Sequence, residues 1–183
     1  MCHESVIDFG KELIANHEKD FKNKTMLEIG SYNVNGTLQD DFRPIAKTYE
    51  GVDIEDGPGV DTVIKESAKL SDVLKTAQVV ICTEMLEHAK DWREAVHAIK
   101  NLATEGIIVT TRSPGFPYHA YPEDYWRYTF EDFQHIFSDM DIVELQRDTY
   151  YAGVFLYARK PKNFNELDLT NIEVFAQPKE TVN

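Results

Sequence analysis

The stretch Thr25-Met-Leu-Glu-Ile-Gly-Ser-Tyr-Asn-Val-Asn-Gly36 decides the fold, because a short apolar run meets a loop of glycine, serine and asparagine. The apolar run ending at Ile29 predicts a strand, and a helix is predicted from Thr37. Gly30 has no side chain, so a ligand can approach its backbone closely. Such a turn can cradle a nucleotide-like ligand, although many α/β domains contain one without any cofactor.

A second strand end supports the ligand-binding interpretation. Tyr49-Glu-Gly-Val-Asp-Ile54 predicts a short strand that ends at Asp53. Dinucleotide-binding folds place a carboxylate about 20 residues after the glycine loop, where it binds ribose hydroxyls. Two matched strand ends favour a nucleoside site over a purely structural turn.

Size and composition limit the domain count and the partners. The 183 residues, 42% of them hydrophobic, suit one domain, expected over residues 1–160 with an N-terminal helix. Residues 161–183 are expected to form a tail that is partly ordered or serves as an interaction arm. The net charge of −13 argues against a nucleic-acid partner, because such proteins concentrate Lys and Arg on one face.

Cysteine content and hydropathy indicate the compartment. Cys2 and Cys82 form neither a disulfide framework nor a metal-binding spacing, so a reducing environment is expected. No signal peptide and no run of ~20 apolar residues is recognisable, so no membrane partner is expected. We therefore expect a cytoplasmic protein.

Strands and helices are predicted to alternate along the chain. This alternation predicts an α/β fold with a largely parallel sheet and helices on both faces. Ligands of such sheets bind beyond the carboxyl ends of the strands, where Gly30, Asp53, Glu84 and Ser113 would lie. Helices are predicted over 5–16, 37–42, 67–75, from Asp91 to Gly106, and 130–137; the remaining strands are predicted over 60–64, 78–83, 107–111, 142–145 and 154–158.

Several motifs between residues 25 and 133 match one known family. The most specific are Thr83-Glu-Met-Leu-Glu-His88 and Tyr125-Trp-Arg-Tyr-Thr129. With these, the chain resembles the class I S-adenosylmethionine-dependent methyltransferases, in particular the small domains called type 11 and type 12. The other matching motifs are Leu27-Glu-Ile-Gly-Ser31 with Val34-Asn-Gly36, Gly51-Val-Asp-Ile54 with Gly57-Pro-Gly-Val-Asp61, and Ser113-Pro-Gly-Phe-Pro-Tyr118.

The resemblance implies a Rossmann-like three-layer sandwich and a cofactor site. Its sheet would have seven strands, mostly parallel with the last strand antiparallel, and the cofactor would be S-adenosylmethionine, with S-adenosylhomocysteine as product. Asp53 would bind the ribose and Ile54 would pack on adenine. The other residues implied in cofactor binding are Glu28, Gly30, Ser31 and Tyr32 near the methionine moiety, Glu84 and Met85 near the sulfonium, and Glu66.

Two positions depart from the family pattern. Tyr32 and Val34 stand where many relatives have further glycines, so Tyr32 could instead cover the methionine end. Lys65 occupies the position where relatives often have an Asp for the adenine amino group, and Glu66 beside it is the alternative. These departures leave a second interpretation open, a catalytically silent binding module or partner subunit with the same fold.

The catalytic and substrate residues are expected after the fourth strand and in the long loop from residue 112 to 128. A hydroxyl acceptor needs a base with a pKa near the working pH, whereas a carboxylate or neutral amine attacks unaided. The loop is rich in aromatic residues and suits a lid over the acceptor. Candidate catalytic residues are His119, His88 and Asp124, with Glu123 considered; candidate substrate residues are Tyr118, Tyr125, Trp126 and Arg127, with Tyr121 and Tyr128 as further aromatic walls.

Each of these residues also has a structural interpretation. His88 could shape its loop, His119 could be an exposed loop histidine, and Arg127 could pair with Asp124 instead of an anionic substrate. Ser113-Pro-Gly-Phe116 only partly matches the motif of methyltransferases that act on DNA bases. We expect no metal, because the sequence offers no recognisable set of ligands, and we expect a small metabolite or a sugar of a glycan precursor as acceptor. A homodimer is compatible with these features.

Overall fold

The computed structural model describes residues 3–120 and 123–178, in which strands and helices alternate. Five helices and nine strands are assigned within these ranges. The helices are α1 (Glu4–Phe21), α2 (Gln39–Phe42), α3 (Leu70–Val73), α4 (Trp92–Leu102) and α5 (Phe130–Ile136). The strands are β1 (Thr25–Ile29), β2 (Thr48–Asp53), β3 (Thr62–Val63), β4 (Ala77–Thr83), β5 (Ala103–Arg112), β6 (Trp126–Arg127), β7 (Asp141–Asp148), β8 (Gly153–Arg159) and β9 (Phe175–Ala176).

Seven of these strands form one sheet in the order β3-β2-β1-β4-β5-β8-β7. Strands β1 to β5 run parallel to one another, whereas β8 runs antiparallel to both of its neighbours, β5 and β7. The prediction of a mostly parallel seven-stranded sheet with an antiparallel last strand is therefore confirmed. In the sheet that last strand lies one position in from the edge.

Two hydrophobic clusters cover the two faces of the sheet, which makes the three-layer sandwich. On one face α1 and α2 contribute Phe9, Leu13 and Phe42 to a cluster with strand residues such as Ile108. On the other face α4 and α5 pack residues such as Ile99 against the same strands. Because helices cover both faces, the central strands are buried almost throughout, as parallel strands generally are.

Two predicted boundaries are wrong. Beyond a kink at His17, helix α1 extends to Phe21, through residues predicted to be a loop, because the fully buried Phe21 ring packs against Phe42 and Tyr157. Helix α4 ends at Leu102, well before Gly106, because Ala103 already pairs with Ala77 of β4. Both boundaries depend on contacts with residues far away in the sequence. The predicted N-cap of α4 is confirmed, since the Asp91 side chain accepts a hydrogen bond from the Glu94 backbone N–H.

The chain after β8 packs against the domain up to residue 178. Strand β9 pairs with β6, and the Gln177 backbone N–H donates to the Tyr125 carbonyl at 2.7 Å. Leu169 is buried, and Arg93 of α4 donates hydrogen bonds to the carbonyls of Leu169 and Ile172. This segment therefore supports β6 from outside the main sheet. Within the described residues, no helix is both long enough and apolar enough to cross a membrane.

Candidate active site

A cavity of about 790 Å³ opens at the carboxyl ends of the parallel strands. This is the edge at which ligands of open α/β sheets bind. The structure brings together here most of the residues predicted for cofactor, acceptor and catalysis. Those that line the cavity are Gly30, Tyr32, Asp53, Ile54, Glu66, Glu84, Met85, His88, Glu123, Tyr125 and Trp126.

Gly30 turns the chain from β1 into the cavity wall. Its φ is +80°, and a Cβ added there would lie 2.8 Å from the Cβ of Met85. A side chain is excluded at this position both by backbone conformation and by contact. The backbone N–H groups of Gly30 and Ser31 both donate to the Val52 carbonyl, which fastens this turn to β2.

Asp53 presents an oriented carboxylate at the end of β2. Its Oδ2 accepts a hydrogen bond from the Tyr32 backbone N–H at 2.9 Å, and its Oδ1 accepts from those of Ile54 and Glu55. A carboxylate offers about four lone-pair sites, so Asp53 retains capacity for a further donor such as a ribose hydroxyl. Ile54 beside it is 38% exposed and presents an apolar surface in the cavity wall. Together these groups fit the ribose and base of an adenosine.

The positions that depart from the family pattern contribute side chains to the cavity. Tyr32 and Val34 both line it. The Tyr32 ring lies over Gly57, where an added Cβ would come within 2.0 Å of the ring, so the ring is held against the backbone. Glu66 also lines the wall, together with Glu55, which the sequence analysis did not single out.

Glu28 and Ser31 do not line the cavity, which corrects their expected contact with the cofactor. Side chains alternate along a strand, so Glu28 points with Met26 toward α1 and α2 while Ile29 faces the cavity. The Glu28 carboxyl accepts hydrogen bonds from Gln39 Nε2 and from the Tyr49 hydroxyl. Burial raises its pKa to about 7, against the lowering effect of those two hydrogen bonds.

Glu84 lines the cavity at the end of β4 and has a buried cationic partner. Its φ of +54° turns the chain out of the strand. Its carboxylate accepts a hydrogen bond from the Thr110 hydroxyl and pairs with Arg112, which also binds Asp148. Arg112 is fully buried, and the sequence analysis did not identify it. The ion pair holds the Glu84 carboxylate at the cavity wall.

At the opposite end of the cavity, the lining residue His88 lies next to a second imidazole, His119, and a buried carboxylate, Glu87. His88 lines the cavity, its ring 4.9 Å from that of His119, and the Nε2 of His119 lies 3.9 Å from Glu87 Oε1. The Nδ1 of His88 lies 2.6 Å from the Glu123 carbonyl oxygen. Because a carbonyl can only accept, Nδ1 carries the hydrogen and the lone pair of the neutral ring is on Nε2. Burial lowers the pKa of His119, although the nearby Glu87 carboxylate acts in the opposite direction.

Asp124 and Arg127 lie behind this end and do not face the cavity. Both are buried, and Arg127 binds both carboxylate oxygens of Asp124, at 2.5 and 2.6 Å. Burial alone would raise the pKa of Asp124, but the bonds from Arg127 and from the His119 backbone N–H outweigh it and hold that pKa below its usual value. The structure shows the alternative in which Arg127 pairs with Asp124, and neither of these expected catalytic and substrate residues lines the cavity.

The aromatic candidates in the loop have different positions. Tyr125 and Trp126 line the cavity, whereas Tyr128 is fully buried and its hydroxyl donates to the Leu86 carbonyl. Tyr118 is partly exposed but does not line the cavity. Tyr121 lies outside the described residues.

Sequence reasoning missed functional-site residues whose contacts are long-range. Glu87 is not predicted as a site residue from the sequence. Its position next to His88 is the one sequence feature that points to it. Gln39 of α2 links β1 to the turn before β3, because its Nε2 donates to Glu28 and to the Gly59 carbonyl. No local pattern distinguishes Gln39 or Arg112 from surface residues.

Comparisons with known proteins agree with this geometry. A family model described as a methyltransferase domain matches residues 4–149. No curated protein matches the sequence. Similar solved structures include the magnesium protoporphyrin IX methyltransferase of Synechocystis PCC 6803 with S-adenosylmethionine bound, which is 16% identical over 87% of this chain and 80% of its own, with a TM-score of 0.63.

Two further structures show the same fold. The N-methyltransferase NodS of Bradyrhizobium japonicum WM9, in complex with S-adenosylhomocysteine, is 11% identical over 87% of this chain and 89% of its own, with a TM-score of 0.62. A putative methyltransferase of Bacillus halodurans C-125 is 12% identical over 86% of this chain and all of its own, also with a TM-score of 0.62. The matched model covers most of the chain, so the chain belongs to the methyltransferase-domain family, class I enzymes whose methyl donor is S-adenosylmethionine.

Proposed function

We propose that the protein transfers a methyl group from S-adenosylmethionine to an oxygen or nitrogen of a small metabolite or of a sugar in a glycan precursor. One observation carries the proposal: a single cavity contains a carboxylate-rich end at Asp53 and an end with an imidazole and aromatic side chains at His88, Tyr125 and Trp126. The bound cofactor supplies a methyl group on a positively charged sulfonium. Acidic walls suit that cation, and the other end is left for the acceptor.

The chain's own residues mainly position the two reactants. Alignment in a near-attack geometry can supply up to ~7–11 kcal/mol of the barrier, and a closed aromatic wall excludes water. The Trp126 indole N–H donates to the Ala89 carbonyl at 2.9 Å, and the Tyr125 backbone N–H donates to the Glu87 carbonyl at 2.8 Å. These bonds fix both aromatic residues against the segment that follows β4.

Proton removal from the acceptor is assigned to the same end of the cavity. A lone pair of the acceptor forms the new bond to the methyl carbon as the carbon–sulfur bond breaks, and the sulfur becomes a neutral thioether. A hydroxyl acceptor must lose its proton in this step. The polar groups available are the imidazoles of His88 and His119 and the carboxylate of Glu87, which lie within reach of one another.

Charge and cavity size support a small acceptor. The net charge of −13 opposes a polyanionic substrate, since nucleic-acid binding depends on neutralising phosphates. The cavity volume of about 790 Å³ lies within the range of small-molecule sites. This cavity also has to hold the cofactor. Among the structural neighbours, one is named a magnesium protoporphyrin IX methyltransferase and another an N-methyltransferase. These names favour the small-molecule class without identifying the acceptor.

The cofactor part of the proposal is tested by calorimetric titration with S-adenosylhomocysteine. Asp53→Ala is expected to weaken binding by ~1–3 kcal/mol, roughly 5- to 150-fold, because a buried hydroxyl loses a charged acceptor. Asp56→Ala is the matched control, since Asp56 is exposed and does not line the cavity. Equal affinity for S-adenosylhomocysteine in the wild type and Asp53→Ala would show that the ribose binds elsewhere. No binding of S-adenosylhomocysteine by the folded wild type would overturn the proposal.

The acceptor is found by incubating the protein with a methyl-labelled donor and pools of small metabolites and nucleotide sugars. Transfer of label to one chemical class in the pools, dependent on Asp53, is the expected result. Labelling of nucleic acid in place of every small acceptor would contradict the small-acceptor assignment.

A further inference from the structure

Three side chains with metal-ligand chemistry converge at the acceptor end of the cavity. Glu87, His88 and His119 each place one ligand atom within 4.8 Å of those of the other two. His119 Nε2 lies 3.9 Å from Glu87 Oε1. Bonds of ~2.0–2.2 Å in a tetrahedral zinc site separate ligand atoms by roughly 3.3 Å, so modest rotations of the two imidazoles would close the set.

Both imidazoles are oriented by partners on the nitrogen away from an ion. His88 Nδ1 forms a hydrogen bond with the Glu123 carbonyl oxygen at 2.6 Å, and His119 Nδ1 forms one with the Pro117 carbonyl oxygen at 3.4 Å and lies 3.1 Å from Asp124 Oδ2. Metal-binding histidines almost always donate their second ring N–H to a carbonyl or carboxylate in this way. Arg127 in turn holds Asp124 through both carboxylate oxygens, so the support of the site extends one layer further.

Glu87 provides an independent sign that a cation belongs here. The residue is fully buried, and its Oε2 accepts a hydrogen bond from the Thr111 hydroxyl at 2.6 Å. Its Oε1, which faces His119, accepts no hydrogen bond from any residue in the described ranges 3–120 and 123–178. Burying a carboxylate oxygen without a hydrogen-bond donor lowers the stability of the fold, and a bound cation would provide the missing partner.

We propose that Glu87, His88 and His119 bind a divalent first-row transition-metal ion, such as Zn²⁺, at the acceptor end of the cavity. Two imidazoles and one carboxylate are a ligand set used by catalytic zinc sites, which keep a further position open. His88 lines the cavity, so the open position would face the acceptor. The sequence alone predicts no metal, because no set of ligands is recognisable in it. His119 is separated from the other two ligands by more than thirty residues, and only the folded loop brings it to them.

The use of this ion in catalysis rests on the proposed methyl transfer, whereas its binding does not. A divalent ion lowers the pKa of a coordinated hydroxyl. An acceptor hydroxyl coordinated there would release its proton to solvent near neutral pH, and its oxygen would be the nucleophile. A metal would in this way replace a general base drawn from either histidine.

Direct metal binding tests the proposal without an acceptor. The full chain, without a histidine tag and with Cys2→Ser in every sample to remove the terminal thiol, is dialysed against chelator and titrated with Co²⁺. Visible absorption reports a low-symmetry site, and Zn²⁺ competition with equilibrium dialysis gives affinity and stoichiometry. The expected result is one ion per chain. Glu87→Gln and His119→Ala should weaken binding by roughly 100-fold or more, since even outer partners of metal ligands contribute about 10–100-fold.

The controls separate loss of ligands from loss of fold. His135→Ala removes an exposed histidine of α5 and should leave metal affinity unchanged. Glu87→Gln retains an acceptor for Thr111, and S-adenosylhomocysteine titration of each variant checks that the cofactor end is intact. No ion bound by the wild type, or equal affinity in Glu87→Gln, His119→Ala and His135→Ala, would overturn the metal site. Cofactor binding without metal binding would refute this inference alone, and the reverse result would refute the proposed function alone.

Discussion

The two ends of the cavity are built in different ways. At the cofactor end, Gly30 and Asp53 are positioned by the backbone of the strand ends on which they stand, and Asp53 accepts three backbone hydrogen bonds. At the acceptor end, side chains are held by other side chains and carbonyls remote in sequence, as Glu87 is by Thr111 and His88 by the Glu123 carbonyl. The cofactor end is therefore a property of short segments, and the acceptor end is a property of the assembled fold.

The largest expected effect is a loss of folding stability caused by a substitution at the acceptor end. Arg127→Met should lower the free energy of unfolding by about 3–5 kcal/mol, because it leaves the Asp124 carboxylate buried without its cation. Urea denaturation measures the loss. Arg147→Met is the matched control and should change stability far less, since Arg147 and its partner Glu131 are both largely exposed.

The same variant sharpens the comparison through ligand binding. Under conditions where Arg127→Met is folded, S-adenosylhomocysteine affinity should stay close to the wild-type value, because Arg127 has no contact with the cofactor end. A large loss of affinity in the folded variant would show that the two ends are coupled through the loop.

A smaller effect concerns the buried support of the cofactor end. The pKa of Glu28 is about 7 in the folded protein against an ordinary 4.5. This shift corresponds to a free-energy difference between the two protonation states on the order of 3 kcal/mol. Because the folded pKa is the higher one, the stabilising contribution is complete below pH 4.5 and is lost as the pH rises toward 7. Glu28→Gln removes this titration and keeps an acceptor for Gln39 and Tyr49.

Glu28→Gln should therefore gain stability relative to the wild type as the pH is raised, by up to about 3 kcal/mol at pH 8. Urea denaturation at pH 5, 6, 7 and 8 measures the difference, with the exposed Glu12→Gln as control. A constant difference across this range would contradict a buried, neutral Glu28. S-adenosylhomocysteine affinity should be little changed, because Glu28 does not line the cavity.

The smallest expected effect tests the cavity wall at the acceptor end. Once an acceptor is known, Tyr125→Phe should lower turnover by roughly 2- to 12-fold. This is the effect of losing one hydrogen bond of the tyrosine hydroxyl, about 0.5–1.5 kcal/mol. Cofactor affinity and melting temperature should stay the same, since the ring and its backbone bonds are retained. Equal loss of cofactor and acceptor binding would instead make Tyr125 part of the scaffold.

Much of the fold was predictable because its signals are local. The signals for β1, β4 and β5 are apolar runs of neighbouring residues, and the signal for the start of α4 is the N-cap residue Asp91. The structure contains each of these elements. Boundaries were wrong where a distant contact decides them, as at Phe21, whose ring packs on Phe42 and Tyr157. At the site, Gly30 and Asp53 were placed correctly in the cavity wall, whereas Glu28 was misplaced because the side-chain alternation within β1 turns it toward α2.

The sequence by itself determined that this protein has an α/β sheet in which Gly30 and Asp53 stand at two strand ends, because strand, turn and helix preferences act between near neighbours. Only the tertiary structure decided which polar groups are free to act. Arg127, Asp124 and Arg112 look like surface or substrate residues in the sequence, but all three are buried. In this low-dielectric interior Arg127 pairs with Asp124, and Arg112 pairs with Glu84 and Asp148. Glu87, with no local mark beyond its neighbour His88, keeps one buried oxygen without a hydrogen-bond donor among the described residues. That difference arises because a charge's role depends on what the fold places within a few ångströms of it, and these partners come from distant parts of the chain.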